Sequence, residues 1–288
     1  MARRIFALLI LFLLGLPGAA SADDHPIRFG LTPVFLDDQL AFLSVWKTYL
    51  AKRLGRDVVF VQRGNYREIT DLLRNGKLDL AWVCGYPLVQ NRDQMKLLAV
   101  PRFNGKPLYR SYLIVPATDT VTRSVLDLRG KVFAFSDPDS NSGYLYPRFA
   151  LLQFKEDSGT FFSRTFFTWG HRKVIEAVAS SLAQGGAVDG YVWETLNLTH
   201  PQLTGRTRVV VKSPEFGFPP VVARQDLPQS DFLALREVLL TMGHDVEGAE
   251  LLRRLNLDGF DAGDGHLFDG IARMARAVGS GSHAAAVP

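Results

Sequence analysis

Apolar positions along this chain recur either in short continuous runs or at the three-to-four spacing of a helix. "IRFGL", Ile27 to Leu31, reads as a strand. From Leu40 onward, Leu40, Leu43, Val45, Trp46, Leu50 and Leu54 fall at helical spacing, and Gly55 ends the run. "DVVFVQ" predicts the next strand. "NYREITDLLRNG" predicts a short amphipathic helix closed by Gly76, with Ile69, Leu72 and Leu73 facing inward. "LDLAWVC" predicts a buried strand. This alternation of strand and helix implies a mostly parallel sheet flanked by helices.

"YRSYLIVPA" predicts a further strand, and after Thr118 the pattern restarts. "KVFAFSD" predicts a strand, "SGYLYPRFALLQF" a helix, "HRKVIEAVASSLAQGG" a helix, and "AVDGYVWE" a strand running into a helix. "TRVVVKS" follows as a strand, and "PPVVARQDLP" predicts a strand leaving this second unit. Helices over Asp231 to Met242, Glu247 to Leu255 and about Gly265 to Ala277 close the chain. The small-residue segment "GSGSHAAAVP", 279–288, predicts a disordered tail.

The restart implies two α/β units, with the second inserted into the first. Lobe 1 would take residues 23–116 and 215–278, and lobe 2 residues 117–214. The chain would cross between them twice, through strands near Val115 and Ser213. Two lobes joined this way enclose a cleft, and ligands of α/β sheets lie at strand carboxyl ends and domain interfaces.

The first residues point to a compartment. Arg3 and Arg4 precede an apolar run from Ile5 to Leu16, and Ala20-Ser21-Ala22 offers small residues for cleavage near Ala22. This is the pattern of a secretory signal over residues 1–22, and the apolar run is short for a membrane span. A periplasmic location follows. Losing Arg3 and Arg4 takes the 33 basic side chains to 31, against 29 acidic ones. Lys and Arg are scattered, which argues against a nucleic-acid partner. The one cysteine, Cys84, has no internal disulfide partner, and the 47% apolar composition must supply the core. The six His lie far apart, so no metal site is expected, and no cofactor motif is present.

"SDPDSNSGYLYP", Ser136 to Pro147, sits between a strand and a helix. Ser140, Asn141 or Ser142 can cap the helix that follows. The unpaired N–H groups at such a helix start, beside two hydroxyls and an amide, also suit a tetrahedral oxyanion. From this cluster alone both readings stand.

The surroundings carry a resemblance. "SDPDSNSGYLYP", "GNYREITDLLRNGKLDLAWVCGYP", "FTWGHRKVIEAVASSLAQGGAVDGYVWE" and "SPEFGFPPVVARQDLP", in this spacing, resemble the phosphate/phosphite/phosphonate-binding proteins of ABC importers. This PhnD-like family is a subgroup of the type II periplasmic binding proteins. The resemblance implies a two-lobe clam-shell, each lobe a mixed, mostly parallel sheet with flanking helices. It implies that Ser140, Asn141 and Ser142 bind the anion's oxygens. It also brings Tyr66, before the first-lobe helix, His171 and Asp189 to the ligand. Beside an anion, His171 would be favoured as a cation. Asp189 would accept the O–H of a protonated ligand.

Two positions depart from the family. Asn141 replaces a hydroxyl residue, so an O–H donor becomes an N–H donor. Pro219 stands where aminophosphonate binders carry an acid, with Glu215 a few residues earlier, so a simpler anion fits better. By the same resemblance Cys84, Gly85 and Tyr86 border the cleft, with Trp82 on the same wall. Cys84 is then either a small buried apolar side chain or a soft ligand for an oxyanion such as arsenite. Trp169 and Trp193 suit core positions equally well.

The expected function is capture of a small oxyanion and delivery to an ABC permease, by a monomer. The alternative is a sensor that presents the same closed form to a histidine kinase. A hydrolase is the remote third reading. Ser142, His171 and Asp189 would be its triad, yet no nucleophile elbow, Walker loop or His-Glu-x-x-His is present.

Overall fold

The computed structural model describes residues 25–33 and 40–284. The expected signal at residues 1–22 lies outside the described residues. In chain order the strands are β1 (Ile27–Leu31), β2 (Val58–Gln62), β3 (Leu80–Trp82), β4 (Met95–Arg102), β5 (Leu108–Tyr109), β6 (Ser111–Pro116) and β7 (Val132–Phe135). They continue as β8 (Arg164–Phe167), β9 (Gly185–Asp189), β10 (Thr207–Lys212), β11 (Phe216–Gly217), β12 (Val221–Arg224) and β13 (Gly259–Asp261).

One six-stranded sheet has the order β13-β4-β12-β3-β1-β2, and a five-stranded sheet has the order β10-β6-β9-β7-β8. Neither sheet is mostly parallel. β1 runs parallel to β2 and β3, and β7 runs parallel to β8 and β9. The remaining pairs are antiparallel, because β12 returns from the second sheet into a slot between β3 and β4. β6 and β10, which bring the chain in and out of the second sheet, are likewise antiparallel partners.

The strand over Tyr109 to Ala117 does not belong to the first sheet. β6 pairs with β9 and β10, so the crossing lies in residues 103–110, ahead of the position near Val115. The return crossing follows β10. Between them the two crossings form their own two-stranded ribbon, with Tyr109 opposite Phe216 and Leu108 opposite Gly217.

β4 and β8 left no clear mark in the sequence. β4 carries Pro101 and lacks alternation, but its burial is nearly continuous. β8 is short and half exposed. The helix opened by His171 stops at Ala179, and Gly185 and Gly186 enter β9. Side chains there would collide, since a Cβ on Gly185 would lie 2.4 Å from Leu128 and one on Gly186 2.6 Å from Val174. The last helix runs Asp269–Ala284, so residues 279–284 extend it where a disordered tail was expected.

An aromatic cluster fills the first lobe. Trp46 is fully buried and its ring meets those of Phe29, Phe42, Phe60 and Trp82. Each such side chain contributes about 1.5–3 kcal/mol of burial. Asp79 ties β1, β3 and β12 together through Arg28 and Arg224. Burial opposes its ionisation, but the Arg28 and Arg224 bonds hold its carboxyl below the ordinary range. Phe133, Phe135, Phe161 and Phe162 form the second lobe's own cluster.

Candidate functional site

The chain leaves β7 at Phe135 and turns through Ser136 to Asp139 before a helical turn over Asn141–Leu145, which continues as the Tyr146–Leu152 helix. Ser140 is the cap, its hydroxyl accepting the Gly143 N–H at 3.0 Å. Gly143 is required here, because a Cβ would come within 1.9 Å of Ser136 Oγ. The loop therefore folds tightly over Ser136.

The same loop is where the lobes meet. Asn141 donates its backbone N–H to Cys84 Sγ at 3.2 Å and its Nδ2 to the Tyr109 hydroxyl at 2.9 Å. Asp137 Oδ2 accepts the Tyr66 backbone N–H at 3.0 Å, and Asp137 Oδ1 accepts that of Asp139 at 2.8 Å. Arg67 grips Asp139 through Nε at 3.2 Å and Nη2 at 3.1 Å. Each lobe thus satisfies a helix start in the other: Asn65 caps the Tyr66–Arg74 helix from within the first lobe, Asp137 takes that helix's first N–H from the second, and Cys84 faces the Asn141 turn.

Three buried polar atoms in this loop have no hydrogen-bond partner: Ser136 Oγ, Asn141 Oδ1 and Ser142 Oγ. All three residues have no solvent exposure. Orphaned buried polar atoms are rare in folded proteins and costly to leave unpaired. All three lie between Ser136 and Ser142, within one short loop.

His171 and Asp189 flank the same loop. His171 Cε1 lies 3.1 Å from the position a Gly143 Cβ would take. Its Nδ1 accepts the Asp189 backbone N–H at 3.1 Å, so that nitrogen carries no proton. Burial pushes the imidazole pKa down to about 3. The expectation of a cationic His171 is therefore corrected: it is a neutral ring with Nδ1 as acceptor and its proton on Nε2. Asp189 caps the Gly190–Thr199 helix, accepting the N–H groups of Tyr191 at 2.8 Å and Val192 at 3.4 Å. Burial, against those bonds, raises its carboxyl to about 7. Its charge also raises the pKa of Cys84 and of Tyr109, after burial, the larger cause for each.

The first-lobe wall differs from expectation at two residues. Gly85 faces the C-terminal segment and not the cleft, since a Cβ there would sit 2.6 Å from Ile271 and 3.0 Å from Phe268. Trp82 is core, packed edge-on to Trp46, with Nε1 donating to Pro219 O at 2.9 Å. Tyr86 is half-buried at the rim, where Asp139, Tyr144, Arg148 and Arg67 all influence its phenol. Cys84 is buried, and burial pushes its thiol up to about 11. A single neutral thiol is poorly suited to a thiolate-bound ligand such as arsenite.

Tyr66 is 1% exposed and opens its helix as expected. Glu215 pairs with Lys106 at 3.5 Å and Arg110 at 3.3 Å, so its charge is already used. Trp193 is partly buried and bonded to Thr207, whereas Trp169 is 44% exposed on a left-handed backbone, φ 63°. Sequence reasoning missed Ser136, Asp137, Asp139, Arg67 and Tyr109. The first three stand in the quoted "SDPDSNSG" cluster, where the run of short polar side chains was the available signal. Tyr109 sits in a strand-like run and carries no local mark of its role.

Residues 29–268 match the family profile described as "ABC transporter, phosphonate, periplasmic substrate-binding protein". Among curated proteins, the phosphonates-binding periplasmic protein of Escherichia coli is 25% identical over 256 residues, covering 85% of this chain and 75% of that one. Among solved structures, the binding-protein component of an ABC phosphonate transporter from Pseudomonas aeruginosa superposes with a TM-score of 0.83 at 24% identity, covering 91% of this chain and 89% of the other. PhnD1 of Prochlorococcus marinus, solved with methylphosphonate, gives a TM-score of 0.79 at 22% identity over 87% of this chain and 97% of that one.

Proposed function

Because this chain belongs to the family of periplasmic substrate-binding proteins of phosphonate ABC transporters, we propose that the Ser136 to Gly143 loop holds one small tetrahedral oxyanion between the closed lobes. The protein is a binding component of an ABC importer and not an enzyme. Its fold is the two-lobe clam-shell of type II periplasmic binding proteins. The observation that carries the site is the trio of orphaned atoms, Ser136 Oγ, Asn141 Oδ1 and Ser142 Oγ.

Ser136 and Ser142 each offer an O–H to an anion. Asn141 offers a third donor by half a turn of its amide. The Tyr109 phenol both donates and accepts, so it keeps its bond to Asn141 when the carbonyl takes the place of the amino group. The –NH2 then faces the guest. Asp189, with its carboxyl near 7, takes the O–H of a monoprotonated phosphonate, phosphite or phosphate and disfavours a dianion. His171 contributes Nε2–H as a neutral donor. Ser140 acts one step back, holding the turn through Gly143. Tyr66 acts from the first lobe, on a helix start held by Asp137.

Closure excludes water and strengthens each bond from a donor to the charged guest. The closed form, a monomer in the periplasm after cleavage near Ala22, then docks on its permease. Among the described residues no feature favours partnership with a sensor kinase.

A thermal-shift panel of phosphate, phosphite, methylphosphonate, 2-aminoethylphosphonate and sulfate tests the reading. A bound ligand raises the midpoint by mass action. Small phosphorus oxyanions are expected to raise it and sulfate is not. No response to any phosphorus oxyanion would refute the site. N-terminal sequencing of the exported protein should begin at Asp23, and light scattering should give one chain.

A further inference from the structure

We propose that Cys84 is the selectivity residue of the cage, forming a wall that cannot hydrogen-bond strongly and so favours an oxyanion with one non-oxygen substituent, P–H or P–CH3, over phosphate. This inference rests on the oxyanion reading above and deepens it. Cys84 stands at the end of the first-lobe strand, and its sulfur is directly opposed to the second-lobe loop. Sγ lies 3.2 Å from Asn141 N and 3.9 Å from Tyr109 Oη. The orphaned Asn141 Oδ1 and Ser142 Oγ belong to the same loop, and all of these residues are buried.

The two sides of the cage differ in chemistry. The second lobe presents hydroxyls, an amide, a neutral imidazole and a carboxyl, all strong hydrogen-bonding groups. At Cys84 the first lobe presents a thiol, a weak donor and weak acceptor that behaves as a small apolar side chain. A tetrahedral guest with three oxygens can place them all on the second-lobe side. Its fourth substituent then meets sulfur. A hydrogen or methyl there loses nothing. A fourth oxygen is stripped of water and given no adequate partner, which costs about tenfold or more in affinity. Sites that leave a buried polar group unpaired reject the ligand that carries it.

The test measures calorimetric affinities of the full mature chain for phosphate, phosphite and methylphosphonate, in wild type and Cys84→Ser. Wild type should prefer phosphite or methylphosphonate to phosphate by about tenfold or more. Cys84→Ser supplies a hydroxyl of similar size, so the preference should shrink by about tenfold through tighter phosphate binding. Equal ratios in wild type and Cys84→Ser, with both anions still binding, would overturn the role of Cys84 while leaving the oxyanion site intact. Absence of binding by all three anions in wild type would instead overturn the site itself.

Discussion

The backbone N–H of Tyr66 donates to Asp137 Oδ2 at 3.0 Å, so a carboxylate of one lobe accepts the first N–H of a helix in the other. The bond exists only while the lobes are together. Asp137 is 1% exposed, and burial raises its pKa. The neighbouring Arg67–Asp139 pair also bridges the lobes, but the Arg67 side chain is 70% exposed. Water screens such a pair, and its net value is about 0–1 kcal/mol. A buried bond to a charged acceptor is worth about 1.5–3 kcal/mol. Asp137→Ala should therefore weaken oxyanion affinity by about tenfold or more, whereas Arg67→Ala should change it by less than about fivefold. Calorimetry on both variants checks the order, and a larger effect from Arg67→Ala would contradict it.

Ser140 and Ser142 are expected to fail in different ways. The Ser140 hydroxyl caps the turn, so Ser140→Ala should cost about 1 kcal/mol of stability in the ligand-free protein. The Ser142 hydroxyl has no partner. Removing it relieves a buried unpaired group, so Ser142→Ala should leave the ligand-free midpoint unchanged or slightly raised. The same change should cost about 1.5–3 kcal/mol of oxyanion binding. Denaturant melts and calorimetry on the two variants separate cap from ligand contact.

The pH dependence of stability should tilt in opposite directions on replacing His171 or Asp189. His171 titrates near 6.5 when unfolded and near 3 when folded. Between those values only the unfolded chain takes the proton, so stability is lost as pH falls, by about 2 kcal/mol at pH 5. Asp189 has the reverse linkage, with an ordinary value of 3.8 and a folded value of about 7. Its stabilisation is present below the lower value and lost as pH rises through the upper one. In wild type the two slopes oppose each other across the acid range. His171→Gln should shrink the loss on the acid side. Asp189→Asn, which keeps a capping oxygen, should gain stability relative to wild type as pH rises from about 4 to 7. Ligand-free melts from pH 4 to 8 supply the comparison, and parallel profiles in all three proteins would contradict both shifts.

Gly143→Ala should be severe despite its size. The added methyl would lie 1.9 Å from Ser136 Oγ and 2.7 Å from Ser136 Cβ. Overpacking of this kind costs about 1–3 kcal/mol or more. Ser136→Gly removes both clashing atoms and should restore part of the stability to the double variant, which a thermal melt would register.

Much of the scaffold was legible because it obeys simple periods. Ile69 and Leu73 are buried at helical spacing, and β3 and β7 are continuous apolar runs. β4 was not, because Pro101 interrupts a run that tertiary contacts bury anyway. The sheets' mixed sense was hidden as well, since direction follows from where β12 and β6 re-enter, and no local pattern encodes that. At the site, the polar cluster after β7 was visible as a short string of Ser, Asp and Asn. The neutrality of His171 was not, because it depends on burial and on the Asp189 N–H, which come from distant chain segments. Gly85 misled for a similar reason: its open side turns toward Ile271, far along the chain.

β5 and β11 hydrogen-bond to each other where the chain passes between the lobes. Two separate tethers would let one half slide, roll or drift against the other. Strands laced into a single ribbon suppress those freedoms and leave rotation about one axis, as with a door on its pin. Every cargo then meets the jaws at the same angle, and discrimination falls to the few atoms at the point of contact.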